Sequence, residues 1–206
     1  MVIRYLTPDE KKNYAHTIIG YDALAIIVHK SNPIKSLTLQ QLIDIYRGKI
    51  ERWSQLGGVD KPIILISKQP NRGLLYLFEK GTGLFHPSNP ANSNPAKTIA
   101  TWAWDAGANN NNIVWTGGLP DAISYISLGS ALAHIANGMP IKIIALDGVF
   151  PSAESIANHS YPIVGELSLV YHKDDSKAKK FIEYMLSDTA QKVIAKNKFN
   201  RVDYAK

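Results

Sequence analysis

The sequence contains no cysteine and no apolar run approaching the roughly 20 residues of a membrane-spanning helix. The first absence excludes disulfides, thiolate nucleophiles and cysteine-based zinc sites. The opening residues, MVIRYLTPDEKK, lack the apolar centre of a signal peptide, so we do not expect them to act as one. With 206 residues, the chain is long enough for one sizeable core or for two small lobes that share a hinge.

The sequence also lacks the signatures of common catalytic and metal sites. It has no G-x-S-x-G, Walker A or G-x-G-x-x-G motif, and no two of its six histidines stand at helical metal-ligand spacing. The net charge of +6 is a mild bias toward anionic partners, but no cluster of basic and aromatic residues indicates nucleic acid. We therefore predict a protein that is not an enzyme, with no catalytic residues, metal site, cofactor or nucleic-acid partner.

Helix and strand patterns alternate along the chain, which predicts an α/β protein. The clearest helix lies in SLTLQQLIDIYRGKIERW, where Thr38 and Gln41 form a capping box before apolar residues at helical spacing. The segments IILIS, IVWTG, AISYISLG and IKIIAL indicate buried strands. Two helices are predicted near the C-terminus, with Asp188 and Gln191 as a second capping box.

Two long strand-like runs suggest that the chain crosses twice between two lobes. The first, HTIIGYDALAIIVHK, is longer than one strand needs, and we interpret it as two strands that meet near Gly20–Ala23. The second, YPIVGELSLVYHK, is interrupted by Gly165. We predict that residues 1–22 and 165–206 form lobe I, and that residues 23–164 form lobe II.

The stretch ISKQPNRGLLYLFEKGTG predicts a strand, a loop and the start of a helix. Such a junction commonly binds an anion, because backbone N–H groups at a helix start point outward without partners. This loop contains little glycine, and it carries Lys68 and Arg72 where a phosphate cradle would have small residues. Three readings follow from the residues alone: a working anion site, an altered one, or a turn.

Four segments together match a family pattern. The first is a helix that ends with the motif GKI-x-x-W, in LTLQQLIDIYRGKIERWSQLGG. The second is similar to a strand with the pattern PGAIGYV, in PDAISYISLGSAL, although Asp121 and Ser124 replace its glycines. SYPIVGELSLVYHK is similar to a YP-x-x-R-x-L strand with Gly165 in place of Arg, and IRYLTPDEK is similar to the segment around the Arg of an ASR loop. Through almost its whole length, the chain resembles the phosphate-binding branch of the periplasmic (type 2) solute-binding proteins of ABC transporters.

This resemblance implies a type 2 periplasmic-binding-protein fold, with two lobes of mixed sheets flanked by helices. It implies a non-enzymatic receptor that binds a small inorganic oxyanion such as phosphate and presents it to an ABC permease or a sensor protein. It also implies a periplasmic or other extracytoplasmic location.

In the family, anion ligands come from four loops. The first is an N-terminal Thr/Ser loop, which we expect this chain to lack because it begins almost at Arg4. The second is an acidic or Ser position before the Arg of ASR, and here Ile3 occupies it. The third loop has the pattern R-x-x-G-S-G-T and aligns with residues 68–74. The fourth loop precedes the AIGYV strand and is shortened here. The resemblance thus assigns anion contacts to Arg4, Lys68, Asn71, Arg72, Gly73, Thr116, Gly117 and Gly118.

The substitutions in the third loop predict an altered anion site. Arg72 and Leu74 replace the Ser and Thr hydroxyls, and each lost hydrogen-bonding group costs about 1–3 kcal/mol in a buried site. The alternative function is therefore a degenerate module of the same fold that no longer binds phosphate and acts as a sensor or protein-interaction domain. An incomplete lobe I would expose apolar surface, which makes self-association part of that alternative.

Overall fold

The computed structural model describes residues 8–70, 72–107 and 109–202. Its strands are β1 (Tyr14–His29), β2 (Ser36–Leu37), β3 (Ile64–Lys68), β4 (Trp104–Ala106), β5 (Ala122–Ser127), β6 (Ile141–Leu146) and β7 (Val164–His172). Its α-helices are α1 (Glu10–Asn13), α2 (Leu39–Tyr46), α3 (Gly73–Thr82), α4 (Asn109–Gly118), α5 (Leu128–Ala136), α6 (Ala153–Ala157), α7 (Ser176–Leu186) and α8 (Asp188–Lys196). In the described ranges, no helix combines the length and apolarity needed to cross a bilayer.

The strands form one mixed sheet in the order β2-β6-β1-β5-β3-β4, and β7 adds to β1 outside this path. β1 is antiparallel to β5, β6 and β7, whereas β3 is parallel to both β4 and β5. Helices connect the parallel strands. The predicted α/β class with a mixed sheet flanked by helices is confirmed.

β1 is a single strand that changes partners along its length. Residues 14–23 pair with β7, and residues 24–29 pair with β5 and β6. The prediction of two separate strands is wrong, because the backbone stays extended through Gly20. A Cβ atom at Gly20 would lie 2.9 Å from the carbonyl oxygen of Asn200, so the glycine permits a close backbone approach instead of ending the strand.

The exchange of partners falls at the pairs Asp22–Gly165 and Ala23–Val164. This position adjoins the predicted lobe boundaries at residues 22/23 and 164/165. The division into lobes remains a prediction.

The segment IVWTG lies in helix α4, so its prediction as a strand is wrong. Asn112, Ile113 and Thr116 are buried, whereas Val114 is exposed, and this spacing gives one buried helix face. The Thr116 hydroxyl donates to the carbonyl oxygen of Asn112 at 2.6 Å, a bond within the helix. Short apolar runs suit a buried helix and a buried strand equally well.

Capping was predicted correctly at one helix and incorrectly at another. At α2, the Gln41 N–H donates to Thr38 Oγ1 at 3.0 Å, and the Thr38 N–H donates to Gln41 Oε1 at 2.8 Å. At α8 the N-cap is Ser187, not Asp188. The buried Gln191 side chain donates instead to the carbonyl oxygens of Ile19 and Met185, which need donors in the interior.

Three aromatic rings fix the position of β3 in the core. Phe78 of α3 stacks on Tyr125 of β5 with centroids 4.3 Å apart, and Tyr46 of α2 packs against both rings. The Tyr46 hydroxyl donates to the carbonyl oxygen of Ile66 at 3.0 Å, and the hydroxyls of Tyr125 and Ser67 lie 3.1 Å apart. These bonds hold Ile66 and Ser67 of β3 in place, directly before Lys68.

Candidate anion site at the carboxyl end of β3

Three parallel strands end at the same edge of the sheet. β4, β3 and β5 run in one direction, and α4, α3 and α5 follow them in sequence. The N-termini of these helices therefore lie toward this edge. In α/β sheets of this kind, ligands bind in the crevice outside the carboxyl ends of the strands.

Lys68, the last residue of β3, is fully buried at this edge. Its ammonium group donates to Asn112 Oδ1 at 2.5 Å. The amide nitrogen of Asn112 in turn donates to Ser124 Oγ at 2.5 Å and, at 3.4 Å, to the carbonyl oxygen of Tyr125. The amide is thereby oriented so that its oxygen faces the lysine.

In the described part of the chain, neither Lys68 nor Arg72 forms an ion pair. Burial, together with the smaller effect of the nearby positive charge of Arg72, lowers the pKa of Lys68 to about 8. A buried cation without a counter-ion is costly, and an anion placed beside it would offset that cost.

Arg72 is the exposed N-cap residue of α3, and Gly73 is the first residue of that helix. The Arg72 side chain makes no capping hydrogen bond to the helix backbone. The start of α3 therefore presents backbone N–H groups next to two cationic side chains, an arrangement that attracts anions.

The other predicted contacts lie in helix α4 or outside the described residues. Thr116, Gly117 and Gly118 form the last turn of α4, where the sequence had indicated a loop. Thr116 is buried and bonded within the helix, and Gly117 lies against Met139. Arg4 and Asn71 lie outside the described residues.

Asn112 and Ser124 were not predicted from the sequence. The run of four asparagines forms the first turn of α4, and this turn brings Asn112 to Lys68. The one available signal was the position of this run two residues after WDA, since a polar helix start commonly follows a strand end. Ser124 stands where the family pattern has glycine.

The carboxylates near this edge lie on the other face of the sheet. Asp105 pairs with Ser67, and successive strand residues point to opposite faces, so Asp105 and Lys68 are on opposite sides. Asp105 contacts His86 Nε2 at 3.0 Å, and Glu79 accepts the backbone N–H of His86 at 2.7 Å. Among the described residues, no group of three or more His, Asp and Glu side chains is arranged to hold a metal ion.

A family model, described as a PBP superfamily domain, matches residues 4–189. The chain belongs to the PBP superfamily. Among its relatives, the phosphate-binding protein PstS of Borreliella burgdorferi is 28% identical over 95% of this chain and 69% of its own length. The phosphate-binding protein PstS of Bacillus subtilis is 27% identical over 85% of this chain.

Solved PBP-like structures agree with the sequence relatives. An ABC-type phosphate transport receptor from Vibrio cholerae superimposes with a TM-score of 0.81 at 28% identity, over 97% of this chain and 78% of that protein. A putative phosphate ABC transporter substrate-binding protein from Clostridium perfringens, solved with bound phosphate, gives 0.82 at 29% identity, over 98% and 77%. The resemblance to the phosphate-binding branch is thus confirmed. The chain spans only 57% of the length of the Bacillus relative.

Proposed function

We propose that this PBP superfamily chain is the ligand-binding part of a non-enzymatic receptor for a phosphate-like oxyanion in an ABC-type uptake system. The observation that carries the proposal is the buried ammonium of Lys68 near Arg72. Within the described ranges, this ammonium has an amide partner but no carboxylate partner. The names of the relatives support the same ligand class.

In this proposal, Lys68, Arg72 and the backbone of Gly73 contact the anion. Arg4, Asn71, Thr116, Gly117 and Gly118 remain predicted contacts. Closure of two lobes around the ligand would present a surface to a membrane permease or a sensor protein. The receptor would act in the periplasm or elsewhere outside the cytoplasm.

Isothermal titration of the purified chain with phosphate, sulfate, molybdate and tungstate at low salt tests the proposal. We expect saturable binding of at least one of these anions, because charge-assisted hydrogen bonds from Lys68 and Arg72 would offset part of the dehydration cost. If none of the four anions binds, the receptor function is wrong for this chain.

A protein-interaction module is the second candidate, and an apolar surface on the C-terminal helices favours it. Phe181, Tyr184, Leu186 and Val193 are each between 42 and 54% exposed. Val193 also borders a cavity of about 180 Å³, which is lined by Ile19, Leu167, Met185, Val193, Ile194, Asn197 and Phe199. Adjacent exposed apolar side chains commonly mark an interaction site.

If this surface mediates self-association, light scattering after gel filtration would give a mass above that of one chain. Replacing Phe181 and Val193 with Asp would then restore the monomer mass, because the charges would have to be desolvated in the contact. Phe150→Asp is the matched control, since Phe150 is 50% exposed and lies outside α7 and α8. A monomer at all concentrations would contradict self-association.

A further inference from the structure

We propose that Asn112 is a positioning residue of the anion site, which holds the Lys68 ammonium in place for the ligand without cancelling its charge, and that Ser124 holds Asn112 in turn. This inference rests on the proposed receptor function. It adds two residues that act through Lys68 instead of touching the anion themselves.

The side chain of Asn112 is fully buried, and both of its polar atoms have partners. The oxygen accepts from the Lys68 ammonium at 2.5 Å, and the nitrogen donates to Ser124 Oγ at 2.5 Å and to the carbonyl oxygen of Tyr125 at 3.4 Å. The opposite orientation of the amide would place its N–H groups against the ammonium, donor against donor. Ser124 and Tyr125 therefore keep the Asn112 oxygen directed at Lys68.

This contact orders the far end of the Lys68 side chain. A lysine has a flexible four-carbon stem, and it loses rotamer freedom when its ammonium is held in one place. The strand β3 fixes only the backbone of Lys68, whereas Asn112 fixes the ammonium. Because the side chain is ordered before a ligand arrives, the anion does not have to supply that ordering, and its affinity is higher.

An amide suits this role because it is neutral. A carboxylate in the same place would also hold the ammonium, but it would form a buried ion pair with Lys68 and repel an incoming anion. The amide adds no such charge, and with a pKa of about 8 Lys68 is still mostly protonated at neutral pH. Its charge therefore remains available to the ligand.

The variant Asn112→Asp tests the need for a neutral partner, since it keeps the size and an acceptor oxygen but adds a negative charge. We expect inorganic phosphate to bind at least about tenfold more weakly at pH 7.5 in titration calorimetry, because like charges repel strongly in a buried site. Asn110→Asp is the matched control. It adds the same charge at an exposed position on the same helix, and phosphate affinity should stay unchanged.

The pH profile of binding gives a readout that a merely structural role of Asn112 would not change. Between pH 8 and pH 9.5 inorganic phosphate is mainly a dianion and Arg72 keeps its charge, so we expect the affinity to fall as Lys68 loses its proton. A carboxylate at position 112 would raise the pKa of Lys68. The fall should therefore begin at a higher pH in Asn112→Asp than in the unmodified chain.

The variant Ser124→Ala tests the second step of the relay. It removes the closer acceptor of the Asn112 amide nitrogen and changes no charge. We expect phosphate binding to weaken by about two- to tenfold, the effect of one neutral hydrogen bond, with no shift of the pH profile.

The outcomes separate this inference from the receptor function. Weaker binding in Asn112→Asp and in Ser124→Ala, but not in Asn110→Asp, supports the positioning role when the pH profile of Asn112→Asp is also shifted. Unchanged affinity or an unshifted profile in Asn112→Asp overturns the role of Asn112 and leaves the receptor function intact. If circular dichroism shows that Asn112→Asp does not fold, the affinity of Ser124→Ala decides. Failure of the unmodified chain to bind phosphate overturns the receptor function for this ligand and the positioning role with it.

Discussion

Lys68→Met is expected to weaken oxyanion binding by about 10- to 150-fold, the equivalent of one charge-assisted hydrogen bond of about 1.5–3 kcal/mol. Methionine keeps the length of the apolar stem but removes the charge. Among the described residues Lys68 has no carboxylate partner, so the substitution leaves no buried counter-charge there, and the cost of burying the ammonium disappears. The lost donor to Asn112 offsets part of that gain, so we expect only a small change in the free energy of unfolding.

Binding and stability are therefore measured together, by titration calorimetry and by urea unfolding followed by tryptophan fluorescence. Lys68→Arg is expected to restore much of the binding, since arginine occupies this position in the family pattern. Lys97→Met removes an exposed lysine elsewhere and should leave both quantities unchanged. Unchanged affinity in Lys68→Met would show that this lysine does not contact the anion, and a large loss of stability would indicate a structural role.

Asp22→Asn is expected to stabilise the protein by about 1–3 kcal/mol at pH 7. Asp22 is buried where β1 changes partners, and it accepts hydrogen bonds from Ser127 and from the backbone N–H groups of Ala23 and Leu128. Burial raises its pKa to about 6 despite these bonds. Asparagine keeps an acceptor oxygen and has no charge to bury.

The pH dependence of stability provides the specific signature of Asp22. Between its ordinary pKa of 3.8 and the folded value of about 6, the folded protein binds more protons at Asp22 than the unfolded chain does. Stability from this group therefore falls as pH rises through that window, by about 3 kcal/mol in total, and is constant above it. Urea unfolding between pH 4 and pH 7.5 should show this slope in the unmodified protein and not in Asp22→Asn.

Asp60→Asn serves as the control for this experiment. Asp60 is exposed, and its hydrogen bond with Arg52 lowers the pKa of its carboxyl group. Above about pH 5 its carboxyl group is ionised in both the folded and the unfolded chain, so its removal should leave the slope between pH 5 and pH 6 unchanged. An identical slope in Asp22→Asn and the unmodified protein would show that Asp22 is not the group responsible.

Local patterns in the sequence determined the parts of this protein that depend on near neighbours. The capping box of α2 joins residues three apart, and β3, β5 and β6 are short apolar runs whose burial their own composition predicts. The family motifs also lie within single segments, which is why the superfamily was recognised from the sequence. The length and the partners of β1 were not local, because Gly20 is explained by the approach of Asn200, which is distant in sequence.

Only the tertiary structure decided which groups surround the candidate anion. Lys68 and Asn112 are 44 residues apart, and they meet because β3 and β4 are parallel and their following helices begin at one edge. In the structure, Thr116, Gly117 and Gly118 form the last turn of α4, where a loop was predicted. The sequence determined the cations available to the site, Lys68 and Arg72. Sheet pairing and helix direction determined their polar partners, because these are set by contacts between distant segments.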